Sequence, residues 1–301
     1  MVGREGRMLR QDMMNAEELR QAALAQVRAA KYEEALRLYD DALAIADEEE
    51  THELITINKA DALIALERPG TEVQELPRII MRRRNSRHVY LAAYALQYKC
   101  RLDNDLKRAL FYAQLAFRTA EEAGEPSWRR VVLLELGNIY ELDSQIDKAV
   151  ECFQESLAIG EESTDNRDKD LSHGYALENL GYCLMIQGKT EKGLAYVHEA
   201  LEMLSDPIGR AEAFIDLCYG YIAFGDFEKA RTFGESGLEL ATEPRQIRNS
   251  HYLLGEACYK SGDREAADFH FTELAKFYPQ FRNLKNLLYA IDLRSMVNFK
   301  L

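Results

Sequence analysis

The chain has 301 residues, 47% hydrophobic and 30% charged, with only six prolines. Its formal net charge of −13 argues against nonspecific affinity for nucleic acid or an anionic membrane and favours basic or amphipathic partners. No apolar run approaches the roughly 20 residues of a membrane span, and the opening MVGREGRMLRQDMMN lacks the apolar centre of a signal peptide.

Residues 1–15 are expected to be a disordered or frayed tail. Ala16–Glu50 then reads as a pair of amphipathic helices. Leu19, Ala22, Ala23 and Gln26 lie along the first, and Ala35, Leu36, Tyr39, Ala42, Leu43 and Ile45 form the inner stripe of the second. The run DEEETHE at 47–53 reads as a solvated connection. A second pair covers His52–Arg84, with Leu54, Ile57 and Ile64 on its first helix. Its second helix opens at Thr71 after the turn Arg68–Pro69–Gly70 and is interrupted at Pro77. Spacing alone leaves the helix register of 52–85 open.

The third pair, Ser86–Gly124, has Leu91 through Cys100 on one helix and Ala109, Tyr112, Ala116 and Phe117 on the other. Trp128–Glu162 makes the fourth, with Leu133, Leu136, Gly137 and Tyr140, then Ala149, Phe153 and Leu157. A polar insert, Glu161–Asp170, follows. Leu177, Leu180, Gly181, Gly188, Val197, Ala200 and Leu201 mark the fifth pair. Phe214, Leu217, Tyr221, Gly225, Asp226, Ala230 and Leu238 mark the sixth.

Gly255–Pro279 shows the unit most plainly. Small residues at Gly255 and Ala267 lie where two helices must touch, with large ones at Leu254 and Phe271. Gly262 suits the positive φ of a helix C-cap, Asp263 can cap the next helix, and Pro279 stops it. Leu254, Gly255, Gly262, Ala267, Phe271 and Pro279 fall on the signature positions of the tetratricopeptide repeat, and the stretch resembles that 34-residue helix–turn–helix unit. Glycine-equivalent positions recur at 137, 181, 218 and 255, with gaps of 44, 37 and 37 residues, as in the longer repeats of bacterial regulatory members of the family. The resemblance is clear over 126–279 and degenerate over 16–125. It implies an all-α, right-handed superhelical solenoid of about seven antiparallel helix pairs over 16–279. A C-terminal capping helix is expected over 280–301, its stripe formed by Leu284, Leu287, Leu288, Ile291 and Met296.

Chemical motifs are missing: there is no P-loop, GxGxxG, GxSxG or HExxH. No enzymatic role, cofactor or metal is therefore expected, and His251 reads as a hydrogen-bonded core residue. The five cysteines lack CxxC spacing and read as buried thiols of a reducing compartment, which points to a cytoplasmic location. Arg82, Arg83, Arg84 and Arg87 form the one basic run. They would suit phosphate or an acidic peptide, but the preferred reading is a solvated helix end near the acidic stretch at 47–53.

In the resembled family, ligands face the second, fifth and ninth positions of each repeat on the concave side. Carried over, these give Leu91, Tyr94 and Tyr98, then Val131, Leu134 and Asn138, then Tyr175, Glu178 and Tyr182. The next two repeats give Glu212, Ile215 and Tyr219, then Asn249, Tyr252 and Glu256. Asn179 joins Asn138 as an amide able to pair with a peptide backbone. The expected function is that of a scaffold or adaptor binding a protein or peptide segment, with Glu178, Glu212 and Glu256 favouring basic character. The alternative is a ligand-responsive sensor resembling peptide-binding bacterial regulators.

Overall fold

Each of the seven helix pairs among the described residues turns on one residue with a left-handed backbone. These residues are Ala30, Glu67, Asn104, Ser144, Gly188, Gly225 and Gly262, with φ between 52° and 91°. The computed structural model describes residues 14–161 and 167–290, with backbone alone at 160, 161 and 167–171. Among the described residues the regular structure is helical throughout.

The helices are α1 (Ala16–Arg28), α2 (Tyr32–Ile45), α3 (Glu49–Ala65), α4 (Thr71–Arg82), α5 (Ser86–Leu102) and α6 (Leu106–Ala123). They continue as α7 (Pro126–Leu142), α8 (Ile146–Glu161), α9 (Arg167–Ile186), α10 (Thr190–Met203) and α11 (Pro207–Phe224). The last four are α12 (Phe227–Leu240), α13 (Pro244–Ser261), α14 (Arg264–Lys276) and the short α15 (Leu284–Leu288). Two compact units part between Glu125 and Pro126, where Gly124 closes α6 in the left-handed conformation.

Within each unit the same packing rule holds. A helix packs against its chain neighbour, and the first helix of each pair also packs on the first helix of the next. In unit 1 this joins α1 to α3 and α3 to α5; in unit 2 it joins α7 to α9, α9 to α11, and α11 to α13. First helices therefore form an inner layer and second helices an outer one. That is the tetratricopeptide-type solenoid arrangement, in which each pair hides its neighbour's apolar flank.

Pairs lock through residues sixteen apart. A Cβ built on Gly255 would lie 2.3 Å from Phe271 Cε1, and one on Gly137 would lie 2.4 Å from Phe153 Cε1. At Gly181 the obstacle is Val197 Cγ2 at 2.6 Å. The sixth pair inverts the sizes, with Gly234 on the second helix facing Cys218 Sγ on the first. Gln97, which fills the glycine position of the third pair, is fully buried, and the residue sixteen later is the fully buried Ala113. The left-handed turns at 30, 67 and 104 also settle the register of 52–85. Ala60, fully buried, takes the glycine position there, and Leu76 is its large counterpart.

Two expectations for this region need correction. Helix α4 runs unbroken through Pro77. The proline removes one i→i−4 hydrogen bond, while the buried Val73, Leu76 and Ile79 anchor both sides of it. The acidic stretch at 47–53 is mostly helix rather than connection, because α3 starts at Glu49 with Glu49 and Glu50 in its first turn. Carboxylates are favourable at that positive end of a helix.

Asp263 accepts a hydrogen bond from the Ala266 amide at 3.1 Å and caps α14, as its spacing predicts. Helix α15 packs on α14 with Leu288 buried, while Ile291 and Met296 of the expected capping stripe lie outside the described residues. So do residues 1–13 of the expected tail and 162–166 of the polar insert. His251 is buried and its Nδ1 lies 3.1 Å from His270 Nδ1. All five cysteines are free thiols, four of them buried. No described helix is long and apolar enough to cross a membrane.

Candidate ligand-binding face

The inner layer of unit 2 brings α7, α9, α11 and α13 side by side, and with them most of the carried-over ligand positions. These divide into two sets. Val131, Leu134 and Asn138 on α7, Tyr175 and Asn179 on α9, Tyr219 on α11 and Tyr252 on α13 are half-buried and reach solvent. Glu178, Tyr182, Glu212, Ile215, Asn249 and Glu256 are buried.

Tyr182 is the clearest departure from expectation. It has no exposed surface, and its ring sits 5.7 Å from that of Tyr219. One step past Gly181, at the closest approach of α9 and α10, it serves as packing behind Tyr219 rather than as a contact surface. The expected acidic lining is likewise turned inward. Glu212 takes Arg245 Nη2 at 2.5 Å and Gln246 Nε2 at 2.8 Å, and the same Gln246 amide also donates to the Ile208 carbonyl at 3.1 Å. Glu256 accepts from Tyr252 Oη at 2.9 Å and pairs with Lys260 at 3.3 Å. Burying a carboxylate is costly unless it is paired, and these partners supply the pairing. Arg245, Gln246 and Lys260 were not singled out from the sequence. They lie outside the three inward repeat positions, and only the geometry shows what they hold.

Neutral amides occupy the half-buried seam between α7 and α9. Asn179 Nδ2 donates to Asn138 Oδ1 at 3.2 Å across the α7–α9 seam. That bond leaves Asn138 Nδ2 as a donor and Asn179 Oδ1 as an acceptor, the complement of a peptide N–H and C=O. Tyr175 donates to Asp206 Oδ1 at 3.0 Å. Asp206 also caps α11 through the Gly209 amide at 2.7 Å, so the Tyr175 ring is fixed at the rim. Burial, then the Asp206 charge, pushes the Tyr175 phenol well above the ordinary tyrosine range.

Unit 1 carries its own inner-layer residues. Tyr94 and Tyr98 lie on α5, both half-buried, with Tyr94 stacked on Tyr90 at 6.1 Å and Arg101 over the Tyr98 ring at 5.6 Å. With the register settled, Asp61 on α3 takes the ninth repeat position, which sequence spacing had not assigned. Its side chain is exposed, and crowding by neighbouring atoms raises its carboxyl pKa to about 6.

The basic run is drawn into ion pairs with α3 and α4. Arg82 reaches Glu53 at 3.0 Å and Glu75 at 3.1 Å, and Arg84 pairs with Glu49. Arg83 is the left-handed C-cap of α4, and Arg83 and Arg87 are exposed. Glu53 is itself buried and also meets His88 Nδ1 at 3.2 Å, so this cluster clasps α3, α4 and α5 together.

No protein-family model matches the chain, and no curated protein sequence matches it. Among solved structures it is similar to a STAND signal-transduction ATPase with a tetratricopeptide repeat sensor from Pyrococcus horikoshii. That match has 19% identity and a TM-score of 0.68, covering 94% of this chain and 44% of that one. The chain thus spans less than half the length of that ATPase. It is also similar to the apo form of RapI, with 12% identity, a TM-score of 0.66 and coverage of 94% and 84%. A third similarity is to BtubC from P. vanneervenii, with 17% identity, a TM-score of 0.55 and coverage of 78% and 93%. With its paired helices, layered packing and left-handed turns, the chain is a tetratricopeptide-like repeat protein in fold.

Proposed function

We propose that this protein is a binding scaffold or adaptor whose unit 2 inner face holds an extended protein or peptide segment. The observation that supports this most directly is the Asn138–Asn179 pair. Two amides meet on a half-buried surface and leave one donor and one acceptor uncommitted. Along the same layer Tyr175, Tyr219 and Tyr252 offer rigid amphipathic rings with little rotamer entropy to lose, and Val131 and Leu134 offer apolar contact. This reading has no catalytic step, and a reducing, cytoplasmic setting suits the free cysteines.

Basic character in the ligand enters at long range. Glu212 and Glu256 already have internal partners, so a ligand lysine or arginine would have to displace Arg245 or Lys260. The net charge of −13 still attracts a basic segment before contact, an effect that salt weakens. A second reading, a ligand-responsive sensor, is favoured by the similarity to a STAND ATPase that carries a tetratricopeptide repeat sensor. In that form binding would shift a conformational equilibrium rather than only tether a partner.

The test begins with affinity capture and mass spectrometry to identify a partner, followed by titration of the purified pair. Asn138→Ala with Asn179→Ala is expected to weaken binding by at least about tenfold, the loss of one to two hydrogen bonds. Unchanged affinity in a folded double variant would remove this face from consideration. Small-angle scattering with and without the partner separates the two readings, since a sensor changes its radius of gyration and a passive scaffold keeps it.

A further inference from the structure

We propose that a cavity of about 370 Å³ in unit 1, between the α3–α4 turn and the end of α5, is a small-molecule site that takes an uncharged aromatic ligand of two or three rings. The cavity starts from an irregularity of the repeat. Residues 66–70 separate α3 from α4, whereas two or three residues separate the helices of every other pair among the described residues. The chain closes α3 in the ordinary way, with the Glu67 amide donating to the Ile64 carbonyl and the Arg68 amide to the Leu63 carbonyl, both at 2.9 Å. Pro69 and Gly70 then add a step, and Gly70 is extended where it precedes α4. It passes so close to α3 that a Cβ there would lie 2.5 Å from Leu63 Cδ1. The lengthened turn leaves room between the first turn of α4 and the last turn of α5.

Three helices each give an apolar wall: Ile64 from α3, Val73 from α4 and Leu102 from α5. Ile64 and Val73 are buried, while Leu102 is 44% exposed and marks the mouth. Water against such walls finds few hydrogen-bond partners, and an apolar group that displaces it gains affinity. An apolar cavity of roughly 150 Å³ is enough to hold benzene. At about 370 Å³ this one admits a fused or linked ring system, and it falls within the roughly 300–1,000 Å³ of small-molecule sites.

The charged part of the lining selects against a charged ligand. Arg68 and Lys99 are balanced there by Glu67 and Asp103. Lys99 is paired with Asp103 and Arg68 with Glu33, each at 2.5 Å. An anion would have to draw a cation out of one of these pairs and lie near Glu67, and a cation would meet Arg68 and Lys99. A neutral ring system leaves both pairs intact. Among the described lining residues Gln74 has the one uncharged polar side chain. Its amide can give or accept a hydrogen bond, which suits a ring bearing one N–H or O–H.

The experiment titrates the full chain with N-phenyl-1-naphthylamine, an uncharged three-ring amine whose fluorescence rises in apolar surroundings. It is repeated with 8-anilino-1-naphthalenesulfonate, the same frame carrying a sulfonate, and both titrations use about 0.5 M salt to screen the net charge of the chain. The neutral probe is expected to bind one equivalent, at least about tenfold more tightly than the sulfonate. Val73→Phe, which fills the cavity, should weaken it about tenfold or more, and Leu102→Asn, at the exposed mouth, about threefold. Amide NMR of the unmodified chain with the neutral probe should show its largest shifts at residues 64–74 and 99–103, a readout that stands even if Val73→Phe fails to fold. Absence of saturable binding, a sulfonate that binds as tightly, or unchanged affinity in the folded Leu102→Asn variant would overturn the proposal, as would amide shifts confined to other residues.

Discussion

Gly255 and Phe271 are made for each other: the Phe271 ring occupies the space a Cβ on Gly255 would need, at 2.3 Å. Both residues are buried, and the Gly137–Phe153 pair repeats the contact sixteen residues apart. In these two pairs the helices therefore come together only because one backbone lies close enough to receive an aromatic ring. Gly255→Ala gains about 1 kcal/mol of helix propensity but forces the ring off its rotamer or the helices apart, at about 1–3 kcal/mol. The expected outcome is a net loss of stability by urea unfolding, partly restored by Phe271→Leu. Additive effects in the double variant would mean that the two residues do not interact.

The left-handed turns supply a prediction of opposite sign. Ala30 and Glu67 hold φ of 55° and 52°, a conformation that costs a residue with a Cβ about 1–2 kcal/mol. Ala30→Gly and Glu67→Gly should each stabilise unit 1, by about 1 kcal/mol once the entropy cost of glycine is counted. Gly262→Ala should destabilise unit 2 by a similar amount for backbone reasons alone, since nothing lies within 4 Å of a Cβ there. Thermal unfolding of the three variants checks both signs.

Glu53 ties stability to pH. Burial alone would raise its pKa, but hydrogen bonds from His88 and Arg82 outweigh that and hold it below its ordinary 4.5. A carboxylate with a depressed folded-state pKa binds fewer protons folded than unfolded. Its contribution is therefore complete above about pH 4.5 and is lost as pH falls through the folded value. Unit 1 should lose stability below pH 4.5, and Glu53→Gln should flatten that acid limb while lowering stability at neutral pH. An unchanged acid limb would place the sensitivity at other carboxylates.

The second half of the fold was legible because six of its eight turn and contact positions carry glycine (Gly137, Gly181, Gly188, Gly225, Gly255 and Gly262), with Ser144 and Cys218 as the exceptions. The first half was harder to read because Ala30, Glu67 and Asn104 adopt the same backbone without the residue that announces it. Ala60 and Gln97 likewise fill the contact position without its glycine. Pro77 misled for a related reason: a helix breaker is tolerated where buried neighbours hold both sides. The candidate binding face was legible only as a set of inward positions. The family resemblance places Glu212 and Tyr182 on the inner layer, but whether a side chain there meets solvent or a partner depends on residues far away in sequence. Arg245 stands 33 residues from Glu212, and Tyr182 is covered by packing that no single helix encodes.

Amide hydrogen exchange on the chain with its captured partner tests the binding face most directly. The account predicts added protection along α7, α9, α11 and α13, greatest near Asn138 and Asn179, with α8, α10, α12 and α14 unchanged. Protection confined to the outer helices, or to the arginines at 82–87, would contradict it.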